Sequence, residues 1–231
     1  MTGEAASDRH DGTGHRARLR QRLLAAGGDA LLDHELVEYL LALAIPRRDT
    51  KPLAKTLLRE FGGLGGLLTA TPEAIQRVKG MGETSVAAIK IVHAAALRML
   101  QSDVAARPVL ANWQALLDYL RADMAHHPVE RVRVLHLNTR NMLIRDELMS
   151  EGSIDEAALH VREVIRRAID LGSAAIILVH NHPSGDPAPS RADIELTRAI
   201  AEAGKRMGIA LHDHLIIGTE GHVSLRAQGL I

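Results

Sequence analysis

The stretch from Ala174 to Asp193, AAIILVHNHPSGDPAPSRAD, constrains the fold more than any other part of this chain. Ala174 to Val179 is a short apolar run rich in β-branched residues and reads as a fully buried strand, although periodicity alone does not separate it from a buried helical segment. The turn that follows decides for a strand. Pro183, Pro187 and Pro189 lack a backbone donor and fix φ, and with Gly185 they force the chain out of regular structure from His182 until Ser190, where a helix can start. His180 and His182 stand two apart on extended backbone, so both side chains leave the same face. Asp193 lies eleven residues beyond His182. Folded back from the start of the helix, its carboxylate would join two imidazoles and leave a fourth position open, which is the ligand count of a catalytic zinc site. A plainer reading stands beside this one. Ser190-x-x-Asp193 is also a capping box for the helix that follows, and a histidine at the end of a strand is more often a satisfied polar residue than a ligand.

Composition narrows the choice of chemistry. There is no cysteine, so disulfides and thiolate metal sites are excluded and His and carboxylate remain as ligands. One Trp, two Tyr and one Phe leave the core to Leu, Ile, Val and Ala, and make base stacking a poor route to nucleic acid. Any DNA contact is expected to be to phosphates. Lys plus Arg and Asp plus Glu both number 28, so no bulk charge draws the chain to nucleic acid or to an anionic membrane. The N-terminus carries no apolar signal core and no run approaches a membrane span, so a cytoplasmic protein with no membrane partner is the expectation.

Residues 1–14 are small, polar and charged and are read as a disordered tail. A helical domain over residues 15–100 follows. Arg16 to Leu24 is a basic helix with Leu19 and Leu23 on one side, stopped by Gly27-Gly28. Further helices run from Asp33 to Leu43 and from Thr50 to Phe61, Gly62 to Gly66 is a flexible turn, and Thr71-Pro72 caps a short helix through Val78. The sequence Val78-Lys79-Gly80-Met81-Gly82 then joins this helix to one continuing to Leu100, in the manner of a helix-hairpin-helix element. Gly80 and Gly82 allow a tight turn that would bring backbone N–H groups, with Lys79 beside them, against a phosphate without reading sequence. The alternative is that the glycines merely close a helical corner.

Residues 101–110 read as a linker, and residues 111–231 as the catalytic module. Its pattern is a helix through Ala125, a half-buried strand over Glu130 to Leu137, a returning strand over Met142 to Met149 and a helix over residues 155–170 with Ala157, Val161, Val164, Ile165 and Ala168 inward. The buried strand, the helix from Ser190 to Met207, a strand from Ala210 to Ile217 and a last strand over His222 to Leu225 complete it. This order gives an α+β (mixed α/β) class, a sandwich in which helices cover a sheet.

His-x-His, seven residues, Ser, two residues and Asp is the JAMM motif of the MPN metalloprotease domain, met without a gap by His180, His182, Ser190 and Asp193. The fuller string HNHPSGDPAPS at residues 180–190, with DHLIIG at residues 213–218, resembles the RadC family in particular, from about His15 to the C-terminus. The resemblance implies an MPN domain of the cytidine-deaminase-like α-β-α sandwich type after the helix-hairpin-helix domain. It also implies one Zn2+ held by His180, His182 and Asp193, a glutamate upstream as general base and Ser190 as the donor to a developing oxyanion. Glu130, at the start of the module's first strand, is where the family pattern puts the glutamate; Glu147, Glu151 and Glu163 compete for the role. Asp213 and His214 are candidates for supporting the ligands and equally for an exposed pair on a strand, and His160 and His212 read as ordinary surface residues. Asn181 stands where deubiquitinating members carry Ser or Thr, which argues against a ubiquitin substrate.

Three functions are compatible with these residues: a zinc peptidase or isopeptidase acting on a peptide or protein near DNA, a metal-dependent nuclease, and a non-enzymatic DNA-binding or repair adaptor braced by its metal.

Overall fold

A computed structural model of the chain describes residues 11–152 and 159–231. The chain divides into two compact units, one ending at Ala94 and the other beginning at Ala95.

The first unit is helical. Its elements are α1 (Asp11–Ala26), α2 (Asp33–Ala44), α3 (Lys51–Glu60), α4 (Leu64–Thr69) and α5 (Pro72–Arg77), followed by α6 (Glu83–Ala105), which crosses the division. The apolar residues of α2 to α5 and of the start of α6 meet in one core. Val37 and Leu41 of α2, Leu53, Ala54 and Leu57 of α3, Leu67, Ile75 and Ile89 are all buried there. Thr71 caps α5 as read, its hydroxyl accepting the Ala74 N–H at 3.2 Å, with Pro72 at the first helical position.

Three boundaries differ from the sequence reading. Residues 11–14 are helical, so the expected tail keeps only residues 1–10, which lie outside the described residues. Gly65 and Gly66 belong to α4, because Leu67 is drawn into the core and fixes the helical turn around it. Residues 101–105, read as linker, continue α6. Leu97, Leu100 and Val104 recur at helical spacing and pack on the core of the second unit, with Val104 buried, so helix is the conformation that covers that core.

The second unit contains α7 (Trp113–Met124), β1 (Arg131–Leu137), β2 (Leu143–Glu151), α8 (Val161–Asp170), β3 (Ala175–Asn181), α9 (Arg191–Arg206), β4 (Ala210–Gly218) and β5 (Gly221–Ser224). The part of the expected helix at residues 155–158, Ala157 included, lies outside the described residues, and α8 begins at Val161. The sheet order is β2-β1-β3-β4-β5, and only β3 and β4 pair in parallel. Helix α7 covers one face, where Leu116, Leu120 and Met124 meet Leu135, Ile177, Val179, Leu215 and Ile217. Helices α8 and α9 cover the other, where Val164, Ile165, Ala168 and Ile200 meet Val134, Ile176 and Leu178. This is a mixed α+β sandwich. Every residue of β3 is buried, as its unbroken apolar run requires of a central strand covered on both faces.

Strand β1 is buried on both faces over Val134 to Leu137, not on one. Its polar side chains are engaged, although His136 Nε2, 3.5 Å from Glu147, makes no hydrogen bond. Arg133 pairs with Asp123 of α7 and with Asp146 of β2, the latter at 2.8 Å, while His136 Nδ1 meets Ser173 Oγ at 3.0 Å. Among the described residues no helix is long and apolar enough to cross a membrane.

Candidate metal centre

The centre lies where β3 ends and α9 begins. His180 is on the face of β3 that α9 covers, and the backbone N–H of His182 bonds Ile217 O at 3.0 Å, which holds the start of the proline-rich loop against β4. Gly218 lies under that loop: a Cβ built on it would stand 2.0 Å from Gly185 O, so only glycine permits this approach. The loop delivers the chain to Ser190, the N-cap of α9.

His180, His182 and Asp193 converge, each offering a ligand atom within 4.8 Å of the others. His180 Nε2 is 2.9 Å from His182 Nε2 and 3.4 Å from Asp193 Oδ1, and His182 Nε2 is 3.8 Å from Asp193 Oδ2. Donors at about 2.0–2.1 Å in a tetrahedron would stand about 3.3 Å apart, so these separations bracket what one ion asks of three ligands. The donor chemistry agrees. His182 Nδ1 donates to Asp186 O at 2.9 Å, which leaves its Nε2 a lone pair.

Ser190 forms the capping box read from the sequence. It caps α9, accepting the Asp193 N–H at 3.1 Å, and its own N–H and hydroxyl donate to Asp193 Oδ2 at 2.8 and 2.6 Å. Oδ2 is thus occupied and Oδ1 is turned toward His180. His180 and Asp193 are buried and His182 is half-buried.

A cavity of about 230 Å³ opens beside the trio, lined by Glu130, Val132, Leu159, Leu178, Ala192 and Leu196 together with His180 and Asp193. Burial raises the Glu130 carboxyl above its ordinary range; Asp193 adds to this and His182 opposes it. Burial likewise pushes His180 down to about 4 and His214 well below its usual value. The competing glutamates are engaged elsewhere. Glu147 pairs with Arg167 at 2.6 Å, Glu151 with Arg131 at 2.7 Å, and Glu163 with Arg166 at 3.0 Å.

Asn181 and Thr197 gain a place that sequence alone did not give them, and His214 stands behind a histidine of the trio as the sequence reading expected. Asn181, between the two histidines, faces away from the centre and binds the segment that carries Glu130: its Oδ1 accepts from Arg131 N–H at 2.9 Å and its Nδ2 donates to Val129 O at 3.2 Å and His127 O at 3.3 Å. Behind His180 stands His214, with His180 Nδ1 2.7 Å from His214 Nε2. Behind His214 stands Thr197, whose hydroxyl is 2.5 Å from His214 Nδ1 and also donates to Asp193 O. The available signal for Thr197 was its place one helical turn after Asp193. Asp213 turns elsewhere, accepting from Ser224 Oγ and from its own strand's backbone at His214 N. His212 is half-buried and meets Asn141 Oδ1 at 2.7 Å, and His160 is exposed.

Lys79, Gly80 and Gly82 belong to the first unit. Gly80 has φ +102° and its carbonyl accepts from Arg48 at 3.4 Å, while Lys79 is exposed. The Gly82 N–H donates to Ser85 Oγ at 2.9 Å, so that amide already has a partner.

A mixed sandwich that brings two imidazoles and one carboxylate together, beside a cavity that Glu130 lines, belongs to the class of folds with a site able to hold a metal ion. Comparison with known proteins narrows this. Residues 110–230 match the family described as RadC-like JAB domain and residues 13–87 the UPF0758 N-terminal family. A UPF0758 protein of Rhodobacter capsulatus is 50% identical over 213 residues, covering 92% of this chain and all of the relative. A UPF0758 protein of Ruegeria pomeroyi is 47% identical over 217 residues, covering 94% of this chain and 97% of that one. The chain belongs to the RadC-like JAB domain family, with the helical N-terminal domain of the UPF0758 proteins.

Proposed function

We propose that this protein is a zinc-dependent hydrolase of the JAMM type acting on peptide or isopeptide bonds. The observation that carries the reading is the convergence of His180, His182 and Asp193 at the rim of a cavity that also holds Glu130. Three protein ligands leave a position open, as hydrolytic zinc sites require and bracing does not. Zinc bound there would lower the pKa of a water toward neutrality and polarise the scissile carbonyl.

The residues of the chain supply the rest. Glu130, whose partly buried carboxyl is held above its ordinary range, takes a proton from the attacking water and returns it to the leaving amine as the C–N bond breaks. Ser190, at the mouth of α9, orients Asp193 and is the hydroxyl nearest in sequence and space to the ligand carboxylate, available to an oxyanion once substrate displaces its present bond.

The lining of the cavity favours peptide over phosphodiester. Val132, Leu159, Leu178, Ala192 and Leu196 suit an aliphatic or aromatic side chain, and a cavity of about 150 Å³ already admits benzene. No Lys or Arg lines it among the described residues, whereas a phosphate backbone calls for them.

The test is metal content followed by cleavage. Protein purified without added metal should hold one zinc per chain and Asp193→Ala much less; a quenched peptide library should then be cut by the parent preferentially beside apolar residues, and not by Glu130→Gln. A parent that takes up no zinc, or that nicks supercoiled DNA while sparing every peptide, would overturn the reading.

For the first unit, exposed Lys79 beside the left-handed Gly80 supports sequence-independent contact with DNA phosphates. Fluorescence anisotropy on duplex DNA should show affinity that falls with salt and falls further in Lys79→Glu; equal binding by both proteins would remove this contact.

A further inference from the structure

The two histidine ligands are prepared for an ion in different ways. His182 donates Nδ1–H straight to a backbone carbonyl, that of Asp186. His180 has no carbonyl or carboxylate behind it. It has a second imidazole, and an imidazole accepts a proton on one nitrogen only if its other nitrogen carries one. Which nitrogen of His180 is free for an ion is therefore decided further back.

We propose that Thr197 and His214 are positioning residues that fix the tautomer of His180, through a chain that starts and ends on the ligand Asp193. The inference rests on reading the trio as a metal centre. The Asp193 carbonyl, one turn earlier on α9, has no proton to give, so the single hydroxyl proton of Thr197 goes to it. The hydroxyl oxygen must then accept from His214 Nδ1–H, which stands 2.5 Å away. His214 Nε2 is left as an acceptor, and His180 donates Nδ1–H to it at 2.7 Å. The Nε2 of His180 keeps its lone pair, 3.4 Å from Asp193 Oδ1 and 2.9 Å from His182 Nε2, where the ion would sit.

Burial makes this order binding. Thr197 is fully buried, His180 and His214 are each 2% exposed and Asp193 8%, so bulk water cannot satisfy a group that the chain leaves out. The opposite order, with Thr197 donating to His214, would place a proton on His180 Nε2 in the ligand position and deprive the Asp193 carbonyl of the hydroxyl. Asp193 thus acts twice, with Oδ1 toward the ion and with its carbonyl as the anchor that orders the histidines.

Thr197→Val removes the hydroxyl with little change of shape, and Thr197→Ser keeps it. Zinc affinity measured by competition with a chromogenic chelator should fall about 10–100-fold in Thr197→Val and stay near the parent value in Thr197→Ser. Nitrogen-15 NMR of histidine-labelled, zinc-loaded parent at neutral pH should show both His180 and His214 protonated at Nδ1, a readout that needs neither the variants nor activity. Either ring found as Nε2–H, or a folded Thr197→Val that binds zinc as tightly as the parent, overturns the proposal. A parent that binds no zinc sinks the metal centre itself, and that failure is seen before any variant is made.

Discussion

Asn181 Oδ1 accepts the backbone N–H of Arg131 at 2.9 Å, so the residue that separates the two histidines also anchors the strand beside which Glu130 stands. The same side chain donates to Val129 O and His127 O, and it is completely buried. Removing it strips the Arg131 N–H and the His127 carbonyl of this side-chain partner, while Val129 O keeps its contact with His127 Nδ1 at 2.9 Å. Asn181→Ala should lose about 2–3 kcal/mol in urea denaturation and should lose turnover, because Glu130 is no longer held, while zinc affinity stays close to that of the parent. An unchanged denaturation midpoint would show that the segment is held by something else.

Gly218 provides a second, steric test of the same corner. A methyl group there would meet Gly185 O at 2.0 Å and Pro187 N at 3.2 Å, both backbone atoms of the loop that carries His182. The loop must lift or β4 must shift. Gly218→Ala should cost about 1–3 kcal/mol and, unlike Asn181→Ala, should weaken zinc binding, measured by the same chelator competition. Full zinc affinity in this variant would mean that the loop tolerates displacement without moving His182.

Much of this corner is legible in the sequence, and the reason is distance along the chain. The buried run at Ala174 to Val179, the paired histidines and the cap formed by Ser190 and Asp193 are local patterns, and each is fixed within a few residues. Asn181 was read only as a departure from a motif because its partners lie fifty or more residues earlier. Thr197 is a polar residue inside an amphipathic helix, and its meaning depends on His214, which pairing of β3 with β4 brings alongside. The half-buried reading of β1 failed for a similar reason. Alternation reports the polarity of a face, and Arg133 and His136 are polar residues whose partners come from α7, β2 and the turn before β3.

His136 makes a pH prediction. It is fully buried, with Nδ1 on Ser173 and Nε2 3.5 Å from Glu147, and burial holds its pKa below the ordinary 6.5. A depressed folded-state pKa means that the unfolded chain takes up the proton first as the pH falls. The stability this group contributes is therefore present above about 6.5 and is lost as the pH drops through the folded value. Glu147, also depressed, acts in the same direction but in a lower window, below the ordinary 4.5. Metal-free parent should lose more stability between about pH 7.5 and pH 5.5 than His136→Leu does, by urea midpoints at the two values. Parallel losses in the two proteins would assign the acid sensitivity to other groups.

Metal should stabilise the unit that binds it. Zinc at 100 times its dissociation constant adds about 2.7 kcal/mol, which for a domain of this size corresponds to roughly 5–10 °C in melting temperature. Calorimetry with and without a chelator should show that shift in the parent and not in Asp193→Ala. A shift of equal size in Asp193→Ala would place the binding outside the trio.

Glu130→Gln separates chemistry from binding. The side chain is not among the convergent ligand set, so zinc content should be unchanged, while loss of a general base typically costs about 10²–10⁴ in rate. Glu147→Gln, Glu151→Gln and Glu163→Gln are the natural comparisons, because each of those carboxylates is committed to an arginine. Disturbing Glu147 should lower stability, since Arg167 and His136 both face it, yet leave cleavage of a peptide substrate within a few fold. The contrast rests on position rather than on residue type: of these four glutamates only Glu130 lines the cavity beside the histidines. If Glu130→Gln cut peptides at the parent rate with zinc bound, the proton would have to be carried by another group, and Ser190 or a water chain would take its place in the mechanism.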